Sequence, residues 1–137
     1  QSSPLTGAVV VTTPQDIALI DAKKGLKMFE KVNVPLLGIV ENMSVFICPC
    51  CGEVTHIFGE GGAKRMSEQY GVPMLGELPL SPAIREAADS GRPTVAAEPE
   101  SAAAKMYRAI AMKIAGSIAK LGKDYTARMP TISVKND

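Results

Sequence analysis

All three cysteines of the chain fall within four positions, in Phe46-Ile47-Cys48-Pro49-Cys50-Cys51-Gly52-Glu53. Cys48 and Cys51 fit the pattern C-P-x-C-G, in which a tight turn aims two thiolates at one soft metal ion. Proline fixes one backbone angle inside the turn, and Gly52 accepts the left-handed conformation that would crowd a side chain. Amides freed by such a turn donate to the sulfurs and stabilise their charge. Tetrahedral zinc sites and iron–sulfur clusters usually want four ligands, and this turn supplies two. The shortfall is the informative part.

No second C-x-x-C exists in the sequence. His56 with Cys48, Cys50 and Cys51 would give a three-sulfur, one-nitrogen zinc site. Adjacent residues such as Cys50 and Cys51, however, rarely both reach one small ion, because their side chains diverge. Two copies of the chain meeting about a two-fold axis supply four thiolates with nothing further needed. The expectation is therefore a homodimer joined through the cysteine turn, with Cys48 and Cys51 as metal ligands and Cys50 turned away. A thioredoxin-type redox pair would open a helix, whereas Gly52 to Gly59 reads as strand or loop. A disulfide staple conflicts with the odd cysteine count and with a composition able to build a core unaided.

The elements that must position this turn are legible as an alternating α/β pattern. Gly7 to Thr13 is a β-branched run without polar alternation, the mark of a strand covered on both faces. Thr13 as N-cap, Pro14 at the first helical position and Asp16 in the first turn open a helix through Lys31, with Ile17, Ile20, Met28 and Phe29 near helical spacing. Leu36 to Val40 is a second buried strand, leading into Glu41-Asn42-Met43 and the cysteines. Ala63 to Tyr70 reads as a short helix stopped at Gly71, and Pro73 to Leu78 as a third strand. Ser81-Pro82 opens a helix through Ala88, and Pro93 to Glu98 reads as loop. Glu100 to Leu121 is a long amphipathic helix whose stripe of Ala104, Tyr107, Ile110, Ile114 and Ile118 reads as core packing. The domain spans residues 1–122, and 123–137 is expected to be a frayed tail. Three helix-separated buried strands predict an α/β fold, a parallel sheet flanked by helices.

Composition narrows the function classes. Of 137 residues, 46% are hydrophobic and 21% charged, with a net charge of +1, so no basic face for nucleic acid or an acidic membrane is advertised. The lack of tryptophan argues against a base-stacking platform. No apolar run approaches the length of a membrane span, and reduced cysteines suit the cytoplasm.

Several motifs then occur in one order: Val10-Val-Thr-Thr-Pro-Gln15, Val34-Pro-Leu-Leu-Gly-Ile-Val-Glu-Asn-Met-Ser44, Ile57-Phe-Gly-Glu-Gly-Gly62, Leu75-Gly-Glu-Leu-Pro79 and Asp89-Ser-Gly-Arg-Pro93. That order resembles the Mrp/ApbC family of P-loop ATPases, iron–sulfur cluster carriers related to the MinD ATPases. The likeness runs from about Leu5 to Lys120, and E-N-M-S together with C-P-x-C-G is its most specific part. The resemblance implies a labile 4Fe-4S cluster bridged by the C-x-x-C cysteines of two subunits and passed to apo iron–sulfur proteins. It also implies that Asn42, at a strand end, reads the adenine of ATP, and that the loop from Pro79 to Pro82 packs beside the base. Family members begin with a glycine-rich phosphate loop carrying lysine and Ser/Thr, followed by magnesium-binding segments. Gly59-Glu-Gly-Gly-Ala-Lys64 fails that spacing, so the chain resembles the C-terminal half of the ATPase domain. ATP and magnesium are then expected to bind only the full-length protein. The competing function class is a zinc knuckle, in which the same cysteines hold a structural ion within an interaction module.

Overall fold

The computed structural model describes residues 5–128. The β-branched run after Gly7 forms strand β1 (Ala8–Thr12), helix α1 (Asp16–Lys31) follows, and the apolar run after Pro35 forms β2 (Leu36–Glu41). Next come the short strands β3 (Phe46–Ile47) and β4 (Val54–Thr55), then α2 (Gly62–Tyr70) and β5 (Met74–Glu77). Helix α3 (Pro82–Asp89), the one-turn α4 (Thr94–Ala97) and the long α5 (Ala102–Arg128) complete the described chain.

Strands β1, β2 and β5 form a parallel sheet with β2 in the centre. Parallel neighbours need crossover connections, and the crossing helices cover the faces. On one face α1 and α2 pack Leu19, Ala22, Leu26, Ala63 and Met66 against Val10 and Ile39. On the other, α5 brings Ile110, Tyr107 and Ile114 onto Val40, Leu75 and Leu78. The centre is tight: a Cβ on Gly38 of β2 would stand 2.4 Å from Leu75 Cγ and 2.7 Å from the Pro73 carbonyl oxygen. Only glycine lets these strands approach as they do.

Several expectations are corrected by this packing. β1 is covered on one face and open on part of the other, with Val11 62% exposed. The reason is position: among the described strands β1 pairs only with β2, and α5 lies over β2 and β5. Helix α1 is capped by Gln15, not Thr13, whose hydroxyl instead donates to the Gln15 side chain. Its buried face is Leu19, Ala22 and Leu26, joined by Phe29, whereas Ile17, Ile20 and Met28 are exposed. At 100° per residue, Ile17 and Met28 fall opposite Leu19 and Leu26, so helical spacing alone mixed two faces. Residues 94–97 form one turn of helix where a loop was expected. Ile118 is exposed, unlike the earlier members of its stripe. Helix α5 continues through Arg128, and the rest of the expected tail, 129–137, lies outside the described residues.

Candidate metal centre

Strands β3 and β4 pair antiparallel, Phe46 with Thr55 and Ile47 with Val54, and carry the cysteines at their joining turn. The Cys48 amide donates to the Glu53 carbonyl at 2.9 Å, and the Gly52 amide donates to the Cys48 carbonyl at 2.8 Å. Gly52 closes the turn at φ 74°, the left-handed conformation anticipated from its residue type. Cys48 is half-buried, Cys50 and Cys51 are exposed, and all three are free thiols.

The turn activates one sulfur in particular. The backbone N–H of Cys50 and that of Cys51 donate to the Cys48 sulfur, and with the neighbouring thiols they hold it below the usual thiol range, against a smaller opposing effect of burial. A thiolate so stabilised is a ready metal ligand. The four-ligand intrachain arrangement with His56 is not formed. His56 Nδ1 stands 3.3 Å from the Ser44 carbonyl oxygen, and its Nε2 is 3.6 Å from the Glu60 carboxylate. Among the described residues, no group of three or more His, Cys, Asp or Glu side chains is arranged to hold an ion.

Two buried polar residues that sequence reasoning passed over anchor the hairpin. Glu41, at the end of β2, is 2% exposed, and Ser44 is 3% exposed. The Ser44 hydroxyl donates to Glu41 Oε1 at 2.7 Å, and the Ala63 amide, in the first turn of α2, donates to Glu41 Oε2 at 3.0 Å. The carboxylate thus meets the electropositive end of a helix. An acid closing an otherwise apolar strand was the available signal. The hairpin itself left a fainter one, two pairs of strand-favouring residues, Phe46-Ile47 and Val54-Thr55, flanking a Pro/Gly turn.

Asn42 follows Glu41 directly. Its amide donates to the Thr12 carbonyl at 2.7 Å, which extends the β1–β2 ladder by one bond. Its side-chain oxygen accepts from the Met43 amide at 2.9 Å, and Met43 adopts φ 53°. The side chain also lines a cleft of about 470 Å³ beside β1 and α1, with Thr12, Thr13, Asp21, Gly25 and Phe29. Pro79 lies alongside the same turn. Leu78 N donates to the Glu41 carbonyl, Ser44 N to the Leu78 carbonyl and Leu80 N to the Val45 carbonyl, at 2.8, 3.0 and 2.8 Å. Asn42 and Pro79 are therefore brought to one end of the sheet, and the cysteine hairpin springs from that same end.

Comparison with known proteins agrees with the geometry. Residues 1–115 match the family described as ParA: NUBPL iron-transfer P-loop NTPase. The iron-sulfur cluster carrier protein of Escherichia coli K12 is 58% identical over 118 residues, which cover 86% of this chain and 32% of that protein. The iron-sulfur cluster transfer protein NUBPL of Mus musculus is 54% identical over 114 residues, covering 83% and 36%. The chain spans about a third of the length of the curated relatives it matches. Among solved structures, the nucleotide-binding protein of Archaeoglobus fulgidus in complex with ADP is 38% identical with a TM-score of 0.59, over 70% of this chain and 38% of that one. The cell division ATPase MinD of Pyrococcus furiosus is 32% identical with a TM-score of 0.60, over 85% and 43%. The parallel sheet flanked by helices is that of the MinD-like P-loop NTPases.

Proposed function

The chain belongs to the family of NUBPL iron-transfer P-loop NTPases, and from that membership we propose that it is the cluster-holding part of an iron–sulfur carrier that grips its cargo through Cys48 and Cys51. The observation that carries this reading is the cysteine turn. One sulfur receives two backbone amides, a second thiol lies three residues on, and both stand at the tip of a hairpin.

Two thiolates per chain suit a 4Fe-4S cluster shared by two copies, each giving half of the four ligands. Exposure suits delivery as well as capture. An incoming cysteine thiolate of an apo iron–sulfur protein forms a new bond to iron as the bond to Cys48 or Cys51 breaks. No electron changes hands in that exchange, and a released Cys48 thiolate is stabilised by the turn it returns to. In the full-length protein ATP would govern the cycle. Asn42 would read the adenine edge with its side-chain amide, and Pro79 would pack beside the base. The phosphates and magnesium would be held by a glycine-rich loop that this sequence does not contain. Reduced thiols suit a reducing compartment, the cytoplasm, and among the described residues no helix is long and apolar enough to cross a membrane.

The test is metal and sulfide analysis of protein prepared without oxygen, with Cys48→Ser, Cys50→Ser and Cys51→Ser beside it. Iron with acid-labile sulfide is expected, one four-iron cluster per two chains, lost in Cys48→Ser and Cys51→Ser and kept in Cys50→Ser. Zinc without sulfide would replace the carrier reading with a structural zinc knuckle. Loss of iron in Cys50→Ser alone would overturn the ligand assignment.

A further inference from the structure

Among the described residues, Glu41 is the one acidic side chain in the core, and the ion pairs made by His56 and Arg85 do not reach it. Burying a carboxylate without a cation is costly unless its oxygens are well bonded, and such groups tend to fix geometry more than they add stability. Here both oxygens are used, each for a different piece of the molecule. Oε2 takes the Ala63 amide of α2, and Oε1 takes the Ser44 hydroxyl at the root of the cysteine hairpin. Asn42 lies between the two contacts in sequence, its oxygen engaged by Met43 in the same turn. Ser44 passes the constraint onward, since its carbonyl faces His56 Nδ1 just beyond β4.

We propose that Glu41 is a positioning residue that couples the Asn42 end of the sheet to the cysteine turn. The proposal rests on the reading of Asn42 as a nucleotide contact. A shift of the Asn42 turn on nucleotide binding cannot leave Ser44 where it is, because the intervening residues are pinned at Glu41 and at Ser44. The displacement is delivered to β3 and β4, which have no wider sheet to resist it. Buried, fully bonded polar networks of this kind transmit strain because they have few alternative arrangements.

The experiment uses the full-length protein without iron and reads the rate of Cys48 alkylation by iodoacetamide, with and without ADP and magnesium. Because the thiol itself is the probe, the result does not depend on cluster binding. Iron analysis of the same preparation reports separately on the carrier reading. In the wild type, nucleotide is expected to change the Cys48 rate by about fivefold or more, the lower end of ordinary coupling between sites. Glu41→Ala should reduce that response to within about twofold, while Glu41→Gln, whose oxygen can accept from the Ala63 amide and whose NH2 can donate to the Ser44 hydroxyl, should retain it. If Glu41→Ala does not fold, Ser44→Ala reads the same link with the Ala63 contact left in place. A wild type whose Cys48 rate ignores nucleotide overturns the proposal. So does a response that survives in Glu41→Ala, or one that Glu41→Gln fails to retain.

Discussion

The turn points peptide hydrogens at the Cys48 sulfur, and the consequence is measurable. The Cys48 thiol is held below the ordinary cysteine range, chiefly by the Cys50 and Cys51 amides. A lowered pKa means that thiolate persists to lower pH. The alkylation rate of Cys48 in the apo chain should therefore reach half its maximum at lower pH than the same thiol does in the unfolded chain, as followed by peptide mass spectrometry. A midpoint no lower than that of the unfolded chain would show that the amides do not bond the sulfur in solution. Asn42 makes a second prediction at this scale. In the full-length protein Asn42→Ala should weaken ATP binding about tenfold, the worth of one well-made polar contact. Calorimetry with ATP and GTP reads both affinity and base choice, and unchanged values would leave Asn42 as a turn residue only. Cys48, Cys51 and Asn42 could be proposed as site residues from the sequence, the cysteines because side-chain chemistry and spacing announce themselves and Asn42 because it closes a buried strand. Glu41 and Ser44 were not, since Ser44 acts through Glu41 and Glu41 through Ala63, far along the chain, a contact that no spacing rule encodes.

Helices and strands were read more accurately where one force dominated. The β2 run, the glycine stop after Tyr70 and the Ser81-Pro82 helix start all appear where the sequence put them. Helix α1 was harder, because it carries apolar residues on two faces and only the sheet decides which is buried. The hairpin of β3 and β4 is too short for periodicity to register. Two glycines test these elements. Gly38→Ala places a methyl group into Leu75 and the Pro73 carbonyl, and should destabilise the fold by about 1–3 kcal/mol in a denaturant titration. Gly52→Ala meets open space but keeps φ 74°, so its cost of about 1 kcal/mol should fall on the turn alone. The expected result is faster loss of iron to a chelator with an unchanged unfolding midpoint. A lowered midpoint would mean that the hairpin and the sheet unfold as one unit.

At the scale of the whole molecule the prediction concerns phosphate release. With no glycine-lysine-serine/threonine loop there is nothing to cradle phosphates, so the 137-residue chain should release no phosphate from magnesium-ATP above a buffer blank. Sustained turnover by the purified chain would refute that. Oligomeric state should follow metal, since a cluster with ligands from two chains is itself a cross-link. Sedimentation of the loaded chain is expected to show a dimer that dissociates when iron is stripped. A loaded monomer would count against shared ligation. The exposed Val11 on the open part of the β1 face favours weak association in either state, and dilution separates that association from the metal-linked one.

The two hydrogen bonds accepted by Glu41 have one more consequence, for how this protein can change over time. The carboxylate holds the Ser44 hydroxyl on one side and the Ala63 amide on the other, so the segment from Val45 to Gly62 leaves and re-enters the sheet between two residues fixed by one side chain, with the Leu80 amide on the Val45 carbonyl as a further tie. Such a segment is an exchangeable cartridge. Its length, its cysteine spacing and the ion it favours can be rewritten by mutation without re-registering β1, β2 or β5, provided these ties stay. A lineage could thus alter what the molecule carries while inheriting the scaffold intact, and an engineer could graft a different metal-binding turn between Ser44 and Ala63 on the same terms.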